Sequence, residues 1–215
     1  MKTALTTLVA IAVAAFSTAA RSQSAGTSSQ ASPVGKANAK VADYYPLKVG
    51  TKWHYLVDTG DGQKLQLSSQ IGGVDHVDGK DVARLEVFAG AQAIPQTEHL
   101  QSTEEGVFRI RWNSVVFSPP MCLIKYPLKP GQSWGGETSA GGARIKLDCS
   151  QGKPEEVQVP AGKYQAIPCT IVGTAGPDKS TNVFWFAEDV GIVKQRSEVG
   201  SQIVTTELTK YEPAK

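Results

Sequence analysis

The chain has 215 residues, with 22 Lys and Arg against 20 Asp and Glu, giving a formal net charge of +2. It contains no long basic or acidic run. Nucleic acid and acidic membrane surfaces are therefore poor candidate partners, because both require a concentrated positive patch.

Residues 1–20 have the pattern of a secretory signal peptide. Lys2 gives a positive start, residues 4–16 form an apolar run without a charge, and residues 17–20 are small, as a cleavage site requires. The apolar run is too short to span a bilayer. No cysteine lies near this segment, so we predict a soluble mature protein, periplasmic or secreted, with no stable membrane anchor after cleavage.

Residues 21–43 are rich in Ser, Gln, Ala and Lys and have few bulky aliphatic side chains. Such a segment cannot bury enough apolar surface to offset the entropy lost on ordering, so we interpret it as a flexible tether. Residues 44–211, about 170 residues, match the usual size of one domain. We predict that they form a single β-rich domain.

The motif Tyr-Pro-Leu-Lys-x-Gly-x-x-Trp occurs twice and is called the YPL motif below. It spans residues 45–53 and again residues 126–134, with six of nine positions identical. Proline holds the chain extended, and glycine suits a tight turn before a strand. The repeat predicts two places where the chain enters a sheet in the same way, with Trp53 and Trp134 pointing into the core.

Turn signals and period-two alternation predict ten or eleven strands. The segments are 53–57, 63–71, 81–88, 96–101, 108–112, 145–149, 156–159, 164–173, 181–187, 192–198 and 202–209. Residues 115–126, broken by two prolines, are interpreted as crossing an end of the sheet, and residues 135–142 as a loop. After the signal, no window of eleven or more residues shows a helical apolar stripe.

These elements predict an all-β fold, a single antiparallel meander of about ten strands forming a curved sheet or half-open β-barrel. In segment 108–112, two arginines alternate with apolar residues, which predicts arginines facing solvent. One face of the sheet is expected to be filled by five aromatic side chains, which are Trp53, Phe108, Trp112, Trp134 and Trp185.

Two short motifs resemble hydrolase signatures but lack their contexts. Ser133 lies in Gly-Gln-Ser-Trp-Gly, yet the nucleophile elbow needs a following helix and a later histidine, whereas two glycines follow and all histidines precede it. Asp58 lies in Asp-Thr-Gly, but an aspartic protease needs a second such carboxylate. The glycines around Asp61 favour a hairpin turn instead.

His54, His76 and His99 are candidate metal ligands by residue type alone. The acidic neighbours Asp75 and Glu98 are adjacent in sequence to two of these histidines, so on a strand they point to the opposite face. We therefore predict no metal site, no cofactor and no catalytic residue, and hence no enzyme activity.

Export makes a disulfide possible between Cys149 and Cys169, whose loop of ~20 residues would contribute about 3 kcal/mol. If the strand 156–159 lay between them, the thiols would be about 9.6 Å apart, beyond disulfide reach. The sequence leaves both alternatives open. Cys122 lies in an apolar run and is predicted to be a buried thiol.

Four stretches resemble a group of uncharacterised bacterial exported β-rich proteins. The stretches are YYPLKVGTKWHY, PPMCLIKYPLKPGQSW, VPAGKYQAIPC and FWFAEDVGIVKQ. They match the group's Tyr-Pro-Leu-x-x-Gly-x-x-Trp start, its Val-Pro-Ala-Gly turn and its closing aromatic strand. The group is distantly similar to half-barrel periplasmic carriers of lipoproteins or lipid. The resemblance implies an exported β fold and no known active site.

We therefore expect a non-catalytic exported envelope protein that acts as a binding or scaffold module, with an unknown protein or an apolar small molecule as its partner. The alternative is a periplasmic carrier that shields a lipid or another apolar ligand in a half-barrel concavity. A cavity larger than a few hundred cubic ångströms would favour the carrier, and a filled core the scaffold.

Overall fold

The computed structural model describes residues 43–215, so the predicted signal peptide and residues 21–42 of the predicted tether lie outside it. No helix among the described residues is long and apolar enough to cross a membrane. The described part of the chain contains thirteen strands: β1 Lys52–Asp58, β2 Lys64–Val77, β3 Lys80–Ala89, β4 Gln92–Thr103, β5 Gly106–Trp112, β6 Val115–Lys125, β7 Ser133–Ala140, β8 Ala143–Gln151, β9 Glu155–Val159, β10 Gly162–Ala175, β11 Asp178–Ala187, β12 Gly191–Val199 and β13 Gln202–Glu212.

The sheet is antiparallel and closes on itself. Strands β1 to β8 pair in order, β8 pairs with β10, β10 with β11, and β13 returns to β1. Twelve strands thus form a closed barrel, and β9 is an extra strand paired with the first residues of β10. The structure is all-β, but the predicted half-open sheet of about ten strands is wrong. Closure pairs every strand of the barrel with a neighbour on each side within residues 43–215, although the pairing of β6 with β7 is short.

The missed strands are β6 and β7. Proline lacks the N–H that a ladder needs, and glycine has weak strand propensity, so both segments were interpreted as irregular. Backbone pairing between β6 and β7 in the described chain is confined to Phe117 with Ala140 and Ser118 with Ser139. Beyond these two pairs, a side chain connects the two strands, because Trp134 Nε1 on β7 donates to Cys122 O on β6 at 3.1 Å.

The two copies of the YPL motif make the same turn, as predicted, although the Tyr–Pro peptide bond is cis in the second copy, at Tyr126–Pro127, and not in the first. In the first copy, Thr51 N donates to Lys48 O at 3.1 Å, and in the second, Gln132 N donates to Lys129 O at 2.9 Å. Their glycines have φ of 96° and 81°.

The glycine of each copy then hydrogen-bonds in the same way to the second strand after the turn. Gly50 N donates to Ile71 O at 2.9 Å on β2, and Gly131 N donates to Gln151 O at 2.8 Å on β8. In both copies, the motif therefore forms the turn through which the chain enters the barrel wall, and both turns lie at the same end of the barrel.

This end of the barrel is closed by aromatic side chains. Trp53 is fully buried and donates from Nε1 to Val190 O at 2.6 Å. Tyr45 lies edge-on to Trp53 and to Phe186, with ring centroids 5.6 and 6.0 Å away. The turn after β9 also lies at this end, where Ala161 N donates to Leu208 O of β13 at 2.9 Å. We call this the closed end and the opposite end, with the β1–β2, β3–β4 and β12–β13 turns, the hairpin end.

The predicted aromatic face is correct only in part. Trp53 and Trp112 are buried, whereas Phe108, Trp134 and Trp185 are half-buried. Trp185 pairs with Lys194 on the outer face, and its Nε1 donates to Glu155 at 2.6 Å. The register places it there, because Trp185 alternates with Phe184 and Phe186, which face the interior.

Candidate functional site

The barrel interior contains a cavity of about 130 Å³. Its walls come from β1 to β5 and β11 to β13, and Tyr45 contributes from the segment before β1. An eight-stranded barrel is just filled by its side chains, whereas barrels of sixteen or more strands hold a channel. A barrel of twelve strands therefore retains some interior space even with large aromatic residues inside.

The cavity is reached from the hairpin end. Leu67, Gln96 and Thr206 line it and are only half-buried, although they point inward. At the closed end, Trp53 and Leu208 also point inward and have no exposed surface. The partial exposure of lining residues near the hairpins indicates that solvent reaches the cavity there.

The charged feature of the cavity is the buried ion pair of Glu98 and Arg109. Arg109 Nε and Nη2 lie 2.9 and 2.7 Å from Glu98 Oε2. The two side chains are only 11% and 5% exposed. Charges at this depth are costly unless paired, so the contact between the two side chains offsets the cost of burying them inside the barrel.

A bulge in β5 brings Arg109 inside. Arg109 pairs with Leu100 and Arg111 pairs with His99, so one residue of β5, Ile110, has no opposite partner on β4. The extra residue reverses the alternation between the two arginines. Arg109 therefore faces the cavity, whereas period-two alternation predicted both arginines on the outer face.

Two tyrosines lie beside the ion pair. Burial raises the pKa of Tyr45 well above 10, and the negative charge of Glu98 adds to this effect. Burial likewise raises the pKa of Tyr55, whose hydroxyl donates to Ile192 O at 2.9 Å. Both hydroxyls stay protonated at physiological pH and can act as hydrogen-bond donors.

Polar side chains also line the wall contributed by β11 and β12. Gln195 Nε2 donates to Ser197 Oγ at 2.9 Å, and Ser197 Oγ donates to Asn182 at 2.7 Å. A second space of about 30 Å³ lies on the other side of Arg109 and Phe184. That volume suits one or two water molecules, so of these two spaces the main cavity is the one large enough for a small organic ligand.

The residues of the two hydrolase-like motifs occupy turns and strand ends. Ser133 is exposed at the start of β7, and a strand follows it where an elbow would require a helix. The Asp58 carboxylate accepts a hydrogen bond from Gly60 N at 2.9 Å, and Gly60 has φ of 80°. Asp58 thus shapes the β1–β2 turn, as the turn interpretation predicted.

The three histidines lie apart, and each contacts one carboxylate. His54 is 2.6 Å from Glu212, His76 is 3.0 Å from Asp81, and His99 is 2.8 Å from Asp75. Within residues 43–215, no group of three or more His, Cys, Asp or Glu side chains could hold a metal ion.

The three cysteines are free thiols. Strands β8 and β10 are direct neighbours, and β9 does not separate them. Cys149 pairs with Ile171 and Cys169 with Gln151, which places the thiols on one face, two residues out of register. Burial raises the pKa of Cys149 and of Cys169 to about 12. Cys122 is half-buried, and burial raises its pKa to about 11.

Three solved structures align with the chain. A candidate exported protein with a YmcC-like fold from Bacteroides fragilis NCTC 9343 aligns at 14% identity and TM-score 0.50, over 80% of this chain and 100% of that chain. A candidate lipoprotein from Parabacteroides distasonis ATCC 8503 aligns at 12% identity and TM-score 0.48, over 81% and 100%. The hypothetical lipoprotein YmcC from Escherichia coli K12 aligns at 12% identity and TM-score 0.39, over 77% and 87%.

No family model matches the sequence, and no curated protein matches it. At 14% identity, the likeness to the Bacteroides fragilis protein concerns the fold alone. It agrees with the general resemblance to exported β-rich proteins drawn from the sequence, while the motifs of that resemblance stay a prediction. The chain is therefore similar in fold to a YmcC-like exported protein.

Proposed function

We propose that this protein is an exported bacterial envelope protein, periplasmic or secreted, that acts as a binding or scaffold module without catalysing a reaction. The observation that carries the proposal is the interior of the barrel. Side chains occupy much of it, and they leave a main cavity of about 130 Å³ with a space of about 30 Å³ beside it. Pockets for drug-sized ligands have about 300–1,000 Å³, so the cavity is too small for a lipid.

Export is supported by the signal-like pattern of residues 1–20 and by the descriptions of the structurally similar proteins as exported or as lipoproteins. The half-barrel concavity of the alternative hypothesis does not exist, because β13 pairs with β1 and closes the wall. The absence of catalysis is supported by the surroundings of Ser133 and Asp58. Neither residue lies in the cavity, and each has a structural explanation at a turn or strand end.

Native mass spectrometry of the protein, purified from the envelope of the cells that produce it, tests the proposal. We expect the mass of the processed chain, alone or with a protein partner. A lipid retained in stoichiometric amount would contradict the proposal. As a second arm, Ser133→Ala and Asp58→Asn should each leave any measurable function within about threefold of wild type, and a hundredfold loss with folding intact would indicate an enzyme.

A further inference from the structure

The Glu98–Arg109 pair is incompletely satisfied by the protein. Arg109 Nε and Nη2 both contact the same oxygen, Oε2 of Glu98. A carboxylate has two oxygens and a guanidinium has five N–H groups. Glu98 Oε1 therefore remains available as an acceptor, and Arg109 retains N–H groups as donors. Both residues line the cavity, so these groups are available to a molecule inside it.

The Tyr45 hydroxyl is a third available group. It makes no hydrogen bond with any described residue, and it is not among the buried polar atoms that are sealed without a partner. It therefore borders open space, and Tyr45 lines the cavity. The neighbouring Tyr55 differs, because its hydroxyl is already bonded to Ile192 O.

The charges around the cavity favour a neutral ligand. Glu98 and Arg109 neutralise each other, and no other charged side chain of residues 43–215 lines the cavity. A carboxylate ligand would be repelled by Glu98 and attracted by Arg109, and a cation the reverse, so the pair gives neither charge a net attraction. A buried charge without its own partner is costly, so a neutral group that both donates and accepts hydrogen bonds fits best.

The remaining walls set the size and polarity of the ligand. The side chains of Val57, Leu85, Val87 and Phe184 are apolar and face the cavity. A dry cavity of about 150 Å³ holds one benzene molecule, so a volume of about 130 Å³ holds roughly six non-hydrogen atoms. A short branched aliphatic group with a polar end has this size and polarity.

We propose that the cavity binds a small neutral carboxamide, or the carboxamide end of a larger molecule inserted from the hairpin end. Its carbonyl oxygen accepts hydrogen bonds from Arg109 and Tyr45, and its N–H donates to Glu98. This inference rests on the proposed function as a binding module and names the class of ligand.

The inference is tested on the wild-type protein with three probes, which have the same shape and differ in the hydrogen bonds they can make. Isobutyramide can donate and accept, 3-methyl-2-butanone can only accept, and isobutyrate is an anion that can only accept. Affinities are measured by titration in NMR spectra. We expect saturable binding of the amide at least about tenfold tighter than of the ketone or the carboxylate, because only the amide satisfies Glu98.

Variants locate the binding site. Val87→Phe places a larger side chain in the cavity and should weaken amide binding at least about tenfold, while the ion pair stays intact. Val74→Phe is the matched control, because Val74 is 55% exposed, and it should bind the amide like wild type. Thermal unfolding of each variant verifies that it is folded.

Equal affinity for the three probes, preference for the carboxylate, or no saturable binding would each overturn the inference. Undiminished amide binding by folded Val87→Phe would also overturn it. These outcomes leave the proposed function standing, since a scaffold with an unused cavity would give them. A co-purified lipid would instead contradict the proposed function, so the two failures are distinguishable.

Discussion

The two copies of the YPL motif share one turn but differ in the Tyr–Pro peptide bond, which is cis only in the second copy, and in their surroundings. Both make the same turn and the same hydrogen bonds to the strand that follows. Yet Trp53 has no exposed surface, whereas Trp134 is half-buried.

The difference lies in the strand on the other side of each copy. Beside Trp53, β1 is paired along its whole length with β13, and Tyr211 packs against the indole at a centroid distance of 6.1 Å. Beside Trp134, the ladder between β6 and β7 is confined to two residue pairs. The indole lies at the gap and bridges it by its hydrogen bond to Cys122 O. The motif therefore determines the turn, and the neighbouring strand determines how deeply the tryptophan is buried.

The largest expected effect is that of Trp53→Ala. Truncating a buried aromatic side chain typically costs about 3–5 kcal/mol, against a total stability of about 5–15 kcal/mol for a domain. Denaturant unfolding should therefore show a protein close to unfolded at 37 °C. His54→Ala is the control, because His54 faces outward and contacts Glu212 at the surface, and it should cost less than about 1 kcal/mol. Equal costs for the two variants would mean that the faces of β1 are assigned wrongly.

Trp134→Ala should cost less than Trp53→Ala, about 1–3 kcal/mol, because part of the indole is already exposed and one hydrogen bond is lost. Its loss should also loosen the junction of β6 and β7. Hydrogen exchange of the β7 amides should therefore accelerate more than that of the β1 amides. If both tryptophan variants lose the same stability, the neighbouring strands do not control burial.

The glycines of the two copies should respond alike. Gly50 and Gly131 both have positive φ, and an added Cβ would meet no atom closer than 3.8 Å at Gly50 and none within 4 Å at Gly131. The cost of alanine is therefore that of the backbone conformation alone, about 1–2 kcal/mol at either position. Equilibrium unfolding of Gly50→Ala and Gly131→Ala measures it. Unequal costs would show that the turns are not equivalent.

Features that depend on residues close in the sequence could be predicted, and features that depend on distant strands could not. The YPL turns and most strands depend on neighbouring residues, so their patterns were sufficient. Closure of the barrel depends on pairing of β13 with β1, about 150 residues apart in the sequence, and strand patterns do not encode it. Strands β6 and β7 were missed because prolines and glycines concealed them.

The candidate site was missed for a specific reason. Glu98 and Arg109 are eleven residues apart on neighbouring strands and meet only after the hairpin forms. Strict alternation placed Arg109 outside with Arg111, because nothing in the sequence marks the bulge at Ile110. By contrast, the residues next to Ser133 and Asp58 were enough to argue against the two hydrolase-like motifs. The structure places both residues at strand ends and turns.

The smallest expected effect concerns pH and lies beside the first copy of the motif, at His54 and Glu212. Hydrogen bonds from His54 and then from Lys210 lower the pKa of Glu212 below its ordinary value of 4.5. A carboxyl group whose pKa is lower in the folded state stabilises the fold above the unfolded pKa, and this stabilisation is lost as the pH falls through the folded pKa. The difference in unfolding free energy between wild type and Glu212→Gln should therefore be present at pH 7 and shrink below pH 4.5. Since His54 is the main cause, the same comparison in a His54→Ala background should show a smaller difference at pH 7. A difference that is unchanged in that background would assign the lowered pKa of Glu212 to Lys210 instead.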